Sequence, residues 1–237
     1  MFEKLFKYIN DNLVLSDIRL RDDENGFVLK TITPIQIAKF NELKNKYKMN
    51  KWEISAFGLL TYWKGIDENG ISEVKHNLVN KNNKNLPDSW LNFLRVFNGF
   101  CPKHFLLFGH NGYGHGPASI YFHRMTTFPK YIDKDFLNIG KYGGDKSPIF
   151  MSPNGEIYVY SGTFMFNPKN TGAIENQRKA LIAYWDNIED FITDETIRYI
   201  DMFIQEPYAT ATIEMLPNNI TPEMLEKLCK EGKIKRP

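Results

Sequence analysis

The sequence runs to 237 residues, with 30 basic against 28 acidic side chains, a net charge of +2, and 42% hydrophobic and 14% aromatic content. That length can bury a sizeable core and that composition excludes a disordered chain, while the near balance of charge shows no basic face for direct nucleic-acid binding. Two cysteines make no disulfide framework, no stretch approaches the roughly 18 apolar residues of a membrane span, and Met1-Phe2-Glu3-Lys4 does not open a signal peptide, so the expectation is a cytoplasmic protein with no membrane partner.

Phe2, Leu5, Phe6, Ile9 and Leu13 share one helical face and predict an amphipathic helix over 1–14. The cluster from Asp22 to Gly26 reads as a turn, and Phe27 to Leu29 as a short strand. Thr33-Pro34 joins an oxygen cap to a proline and starts a predicted helix that runs to about Tyr47. Ile54 to Trp63, the Asp67-Glu68-Asn69-Gly70 turn and Ile71 to Val74 predict a hairpin. Residues 76–85 are rich in Asn and Lys, with almost nothing to bury, and predict a surface loop. They mark the boundary between an N-terminal extension, 1–84, and the main part, 85–206; strand-rich sequence on both sides leaves open that the extension joins the later sheet.

Leu86 to Phe100 organises the rest of the chain. Pro87 suits a first helical turn, Trp90, Leu91, Leu94 and Phe97 recur at helical spacing, and Asn98-Gly99 offers a left-handed stop. Apolar segments at Phe105–Phe108 and Ser119–Phe122 come next; Ile149–Met151, Ile157–Tyr160 and Thr163–Phe166 then follow at close intervals, with turn residues at Pro153-Asn154-Gly155 and Ser161-Gly162 between them, and predict an antiparallel meander. Asp186 with Glu189 reads as a capping box for a helix whose apolar positions run from Ile188 to Ile204, ended by Pro207. A last helix starts at Thr221-Pro222 and stops near Gly232, inside a C-terminal helical tail, 207–237. The fold class is α+β, a mixed or antiparallel sheet flanked by helices.

Three sets of residues carry a resemblance. A Leu86-Pro87 helix with Trp90, Phe93 and Leu94 ends in Asn98-Gly99. Ile139-Gly140, Gly143-Gly144-Asp145, Pro148 to Met151 and Glu156 to Tyr160 succeed it in that order, and the acidic and aromatic segment Trp185 to Phe191 closes the series. This order resembles the SUKH superfamily, with its Smi–Knr and YrhA-like branches, over roughly 85–204. The resemblance implies a SUKH-like fold and a non-catalytic protein that binds another protein. Bacterial members of that superfamily resemble immunity proteins that neutralise a cognate toxin, often a nuclease, by direct binding. Contacts of that kind need exposed aromatic and acidic residues near the sheet, and Tyr113, Tyr142 and Asp145 are the candidates.

The residues also allow a rival from a different class. His110 and His115 lie in the Gly-rich loop Phe108 to Pro117, and with Asp145 they would make the ligands of a small metal-dependent hydrolase or nuclease. Their spacing is not that of a helical zinc site, and no cysteine pair accompanies them, so two solvated histidines on a loop are the favoured reading. The same glycines fail as a phosphate loop because Pro117 follows Gly116 where Lys-Ser/Thr is needed. Cys101 near His104 suggests a thiol and a base, but no acid stands near them in sequence, which favours a structural cysteine. Asp133 and Asp135 read as a solvated edge, and Tyr158, Tyr160, Phe164 and Phe166 as core rather than a base-stacking platform, since no Lys or Arg is interleaved. No cofactor is expected.

Overall fold

The computed structural model describes residues 1–15, 27–32, 60–76, 86–102, 104–107, 109, 135–142, 147–162, 179–205 and 216–234. Five helices are present among them: α1 (Glu3–Asn12), α2 (Glu68–Lys75), α3 (Asp88–Val96), α4 (Ile188–Gln205) and α5 (Pro222–Lys230). The strands are β1 (Leu13–Leu15), β2 (Phe27–Ile32), β3 (Leu60–Lys64), β4 (Phe97–Cys101), β5 (Phe105–Leu107), β6 (Leu137–Tyr142), β7 (Pro148–Met151), β8 (Ile157–Tyr160) and β9 (Leu181–Trp185). They form one nine-stranded sheet in sequential order, and every neighbouring pair is antiparallel. The fold is therefore α+β, with an antiparallel sheet flanked by helices. Because β3 pairs with β4 through Thr61–Cys101 and Tyr62–Phe100, segments before and after residue 84 share that sheet.

Strand pleating sorts the side chains onto two faces. On one face Ile149, Met151, Ile157, Val159, Ala183 and Trp185 join the helix residues Leu5, Ile9, Trp90, Leu94, Phe191 and Ile192 in a single core. On the other face Phe150, Tyr158, Tyr160, Leu181 and Tyr184 meet Leu228 of α5 and Ile234 beyond it. β7 and β8 are buried at every position as a result. Tyr158 and Tyr160 are thus core residues, as their lack of basic neighbours suggests.

The organising helix starts where Pro87 places it and buries Trp90, Leu91, Phe93 and Leu94. Its end departs from expectation. Phe97 is already extended, and the chain enters β4 with no left-handed stop; Gly99 sits within that strand at φ 110°. A Cβ is strained at that φ, so the Asn-Gly signal marks a kink in a strand. Phe97 instead centres an aromatic cluster, with ring centroids 5.4 Å from Phe2, Phe6 and Tyr62 and 5.1 Å from Phe100.

Three further elements differ from the sequence reading. Ile71 to Val74 lies in α2, not in a hairpin: the Asp67 carboxylate accepts from Gly70 N at 2.9 Å, so the acidic cluster is a helix cap, and Ile71 and Val74 are buried one turn apart. β9 is a strand that the sequence reading leaves unassigned, although Leu181-Ile182-Ala183-Tyr184-Trp185 is an unbroken apolar run. At the start of α4 it is the Asn187 side chain that accepts from Asp190 N at 2.8 Å, while Asp186 accepts from Tyr184 Oη at 2.8 Å. α5 follows expectation closely. The Thr221 hydroxyl caps Met224 N, Pro222 opens the helix, and Gly232 at φ 71° turns the chain so that Lys233 N reaches Leu228 O at 2.9 Å. The helix predicted from Thr33, the loop 77–85, the strands at 119–122 and 163–166, and Pro207 lie outside the described residues.

Candidate functional site

Of the residues singled out in the sequence, His110, Tyr113, His115 and Asp145 lie outside the described residues. Tyr142 is described, and it is not an exposed anchor: it is 1% exposed. The cause is a bulge. β6 pairs with β7 through Asn138–Phe150 and then Gly140–Ile149, so Ile139 is an extra residue and the alternation of faces inverts after it. Tyr142 therefore joins Leu137 and Ile139 on the helix-covered face. Gly140 serves this region by close approach: an ideal Cβ would lie 2.3 Å from Leu106 O.

Tyr142 belongs to a buried polar cluster that joins β4, β5 and β6 to α4. Its hydroxyl donates to Glu195 Oε2 at 2.8 Å. Arg198, one turn along α4, grips the same carboxylate with two bonds, Nε to Oε1 at 2.8 Å and Nη2 to Oε2 at 2.6 Å. His104 stands opposite, its Nε2 3.5 Å from Glu195 Oε2, with both side chains 3% exposed. The imidazole lies flat on Tyr199, centroids 4.2 Å apart and planes 11° apart, and meets Phe105 and Tyr142 edge-on.

Charge in this cluster follows from burial set against partners. Burial alone would raise the Glu195 carboxyl, but the side chains facing it, His104 when it carries a proton and Arg198 through its bonds and charge, hold it below the ordinary carboxylate range. Burial would likewise lower Arg198, but its bonds to the carboxylate raise it. Tyr142 is pushed well above the phenol range, by burial first and by the adjacent carboxylate second. Burial lowers His104, and the facing carboxylate does not fully restore it. The site is a neutral imidazole, a neutral phenol and a matched Glu–Arg pair.

The fold thus supplies the acid that sequence proximity lacked beside Cys101 and His104. The nucleophile geometry still fails. His104 Nδ1 is bonded to Pro102 O at 2.8 Å and Nε2 faces Glu195, so neither ring nitrogen is turned to the thiol. Among the described residues, no group of three His, Cys, Asp or Glu side chains is placed to hold a metal ion. Only the Glu195-x-x-Arg198 spacing was readable in the sequence, as an i,i+3 pair on a helix.

The outward side of α4 is different in kind. Asp186, Asp190, Asp194 and Asp201 are exposed, the first three at four-residue intervals. Among the described residues, basic partners are few there: Lys4 lies 3.9 Å from Asp194, with both side chains more than half exposed, and Lys233 lies 3.2 Å from Asp186. Asp201 accepts from Tyr8 Oη at 2.8 Å and Asp190 from Asn187 Nδ2 at 2.7 Å, which fixes both carboxylates without neutralising them. Among the described residues, no helix is long and apolar enough to cross a membrane. No family model, curated protein or solved structure matches this chain.

Proposed function

We propose that this chain is a non-catalytic, protein-binding module of the SUKH type, an immunity protein that neutralises a cognate interbacterial toxin in the cytoplasm by direct binding. The observation that carries the reading is the exposed acidic row Asp190, Asp194 and Asp201 on α4, the helix whose start resembles the closing segment of that superfamily. A toxin that cleaves nucleic acid presents a basic groove, and a row of carboxylates held by a rigid helix complements it, which speeds encounter and fixes orientation. With Tyr142 buried, Tyr113 and Asp145 remain as the further candidate contacts from the sequence.

The test is co-expression with the toxin encoded beside it, followed by co-purification. The parent chain is expected to rescue growth and form a complex. An Asp190→Lys/Asp194→Lys variant, with both changes on an exposed helix face, is expected to fold as the parent does and to lose rescue. Absence of both rescue and complex for the parent refutes the immunity reading; full rescue by the variant removes α4 from the interface.

A further inference from the structure

The connection from β4 to β5 fixes the tautomer of a buried histidine. Pro102 O receives both the His104 backbone N–H at 2.6 Å and the ring Nδ1 at 2.8 Å. A carbonyl only accepts, so Nδ1 carries the proton and the neutral ring presents a lone pair at Nε2. That lone pair faces Glu195 Oε2 at 3.5 Å, and Nε2 has no hydrogen-bond partner among the described residues. The carboxylate oxygen it faces already accepts from Tyr142 and Arg198.

Each protonation state therefore carries one defect. The neutral ring sets acceptor against acceptor. The protonated ring would bond to Glu195, but the charge of that carboxylate is already matched by Arg198, so the trio would hold a net positive charge with the imidazolium and the carboxylate, each 3% exposed, shut away from water. Among the described residues, the titratable and charged groups facing the ring are Tyr142 from β6 and Glu195, Arg198 and Tyr199 from α4, while Cys101 at the end of β4 acts on the Tyr199 phenol. Tyr142 and Tyr199 are both held neutral by burial, so among the described residues Glu195 is the anion that faces the ring. The Tyr199 face attracts a cation, but only in part replaces lost hydration.

We propose that His104 is a proton-operated release: uptake of one proton at Nε2 loosens α4 from the β4–β6 part of the sheet. The inference is independent of the binding reading. Its sign follows from linkage. The folded chain binds this proton less readily than the unfolded chain, so the contribution of His104 is complete above the ordinary histidine value of about 6.5 and is lost as the pH falls from there through the lower value of the folded chain. Glu195 is held below the carboxylate range, so it stays charged over that window and titrates only in stronger acid.

The experiment compares urea unfolding of the full chain and of His104→Phe from pH 8 to pH 5. Phenylalanine keeps the stack on Tyr199 and takes up no proton. The parent's unfolding constant is expected to rise several-fold more than the variant's between pH 7 and pH 5.5. Amide exchange on the parent, corrected for intrinsic rates, gives a reading that needs no variant: β5 and α4 should lose protection over that range while α5 and β8 keep theirs. Equal acid sensitivity of parent and variant, or unchanged protection of α4 at pH 5.5, overturns the proposal.

Discussion

Replacing Arg198 by methionine tests whether the buried cluster holds α4 to the sheet. The change removes both bonds that the guanidinium makes to Glu195 and leaves the carboxylate, 3% exposed, with the Tyr142 hydroxyl as its remaining short contact. Breaking a buried ion pair from one side costs about 3–5 kcal/mol, because an uncompensated charge stays behind. Arg198 is itself 31% exposed, so water can reach the vacated position and the expected loss lies near the lower end, about 3 kcal/mol. Removing the whole network is a different perturbation. In Tyr142→Phe/Glu195→Met/Arg198→Met no buried charge or hydroxyl is orphaned, and apolar replacement of such networks is often near neutral. The triple variant should therefore be more stable than the single one, despite losing more bonds. Urea unfolding followed by circular dichroism at pH 7.5, with unchanged m-values, is the assay. A single variant within about 0.5 kcal/mol of the parent, the scatter of ordinary surface changes, or a triple variant less stable than the single, would show that charge burial is not what sets the stability of this joint.

Leu94→Ala, at a fully buried position of α3, should cost about 2–5 kcal/mol, the range for deleting a large core side chain; the same denaturation assay measures it. Asn187→Ala removes the side-chain cap of Asp190 N and should cost about 0.5–2 kcal/mol, read as a lower midpoint and faster amide exchange confined to the first turn of α4.

Much of the architecture was legible because periodicity survives in the sequence wherever one face meets the core. The stripes on α1 and α3 and the short strands β7 and β8 are of this kind, and Pro153-Asn154-Gly155 marks their turn, with Gly155 at φ 95°. Errors arose where one residue pattern serves two geometries. Asp67 to Gly70 is good turn chemistry, and it is equally good capping chemistry; what decided it was that Ile71 and Val74, three apart, have a core to enter. Asn98-Gly99 likewise stops helices, yet β3 lies ready to pair with the residues from Phe97 onward, and tertiary pairing overrode the local signal.

The polar cluster was illegible for a deeper reason. Its members come from the β4–β5 connection, β6 and α4, and the sequence holds no record of which elements will face one another. The exposed reading of Tyr142 took it for a loop residue near the sheet, whereas it ends β6, where a single extra residue at Ile139 turns the ring inward. That same inward turn explains why α4 has two unlike sides. The buried Tyr142 hydroxyl needs an acceptor within reach, so one side of the helix carries Glu195 and the arginine that matches its charge. The carboxylates of Asp190 and Asp194 on the other side meet solvent, with Lys4 3.9 Å from Asp194. A helix tied to the sheet through the Tyr142–Glu195 bond and left acidic outside can be altered on either side separately. Asp190→Lys/Asp194→Lys should change association and spare stability, and Arg198→Met should change stability first.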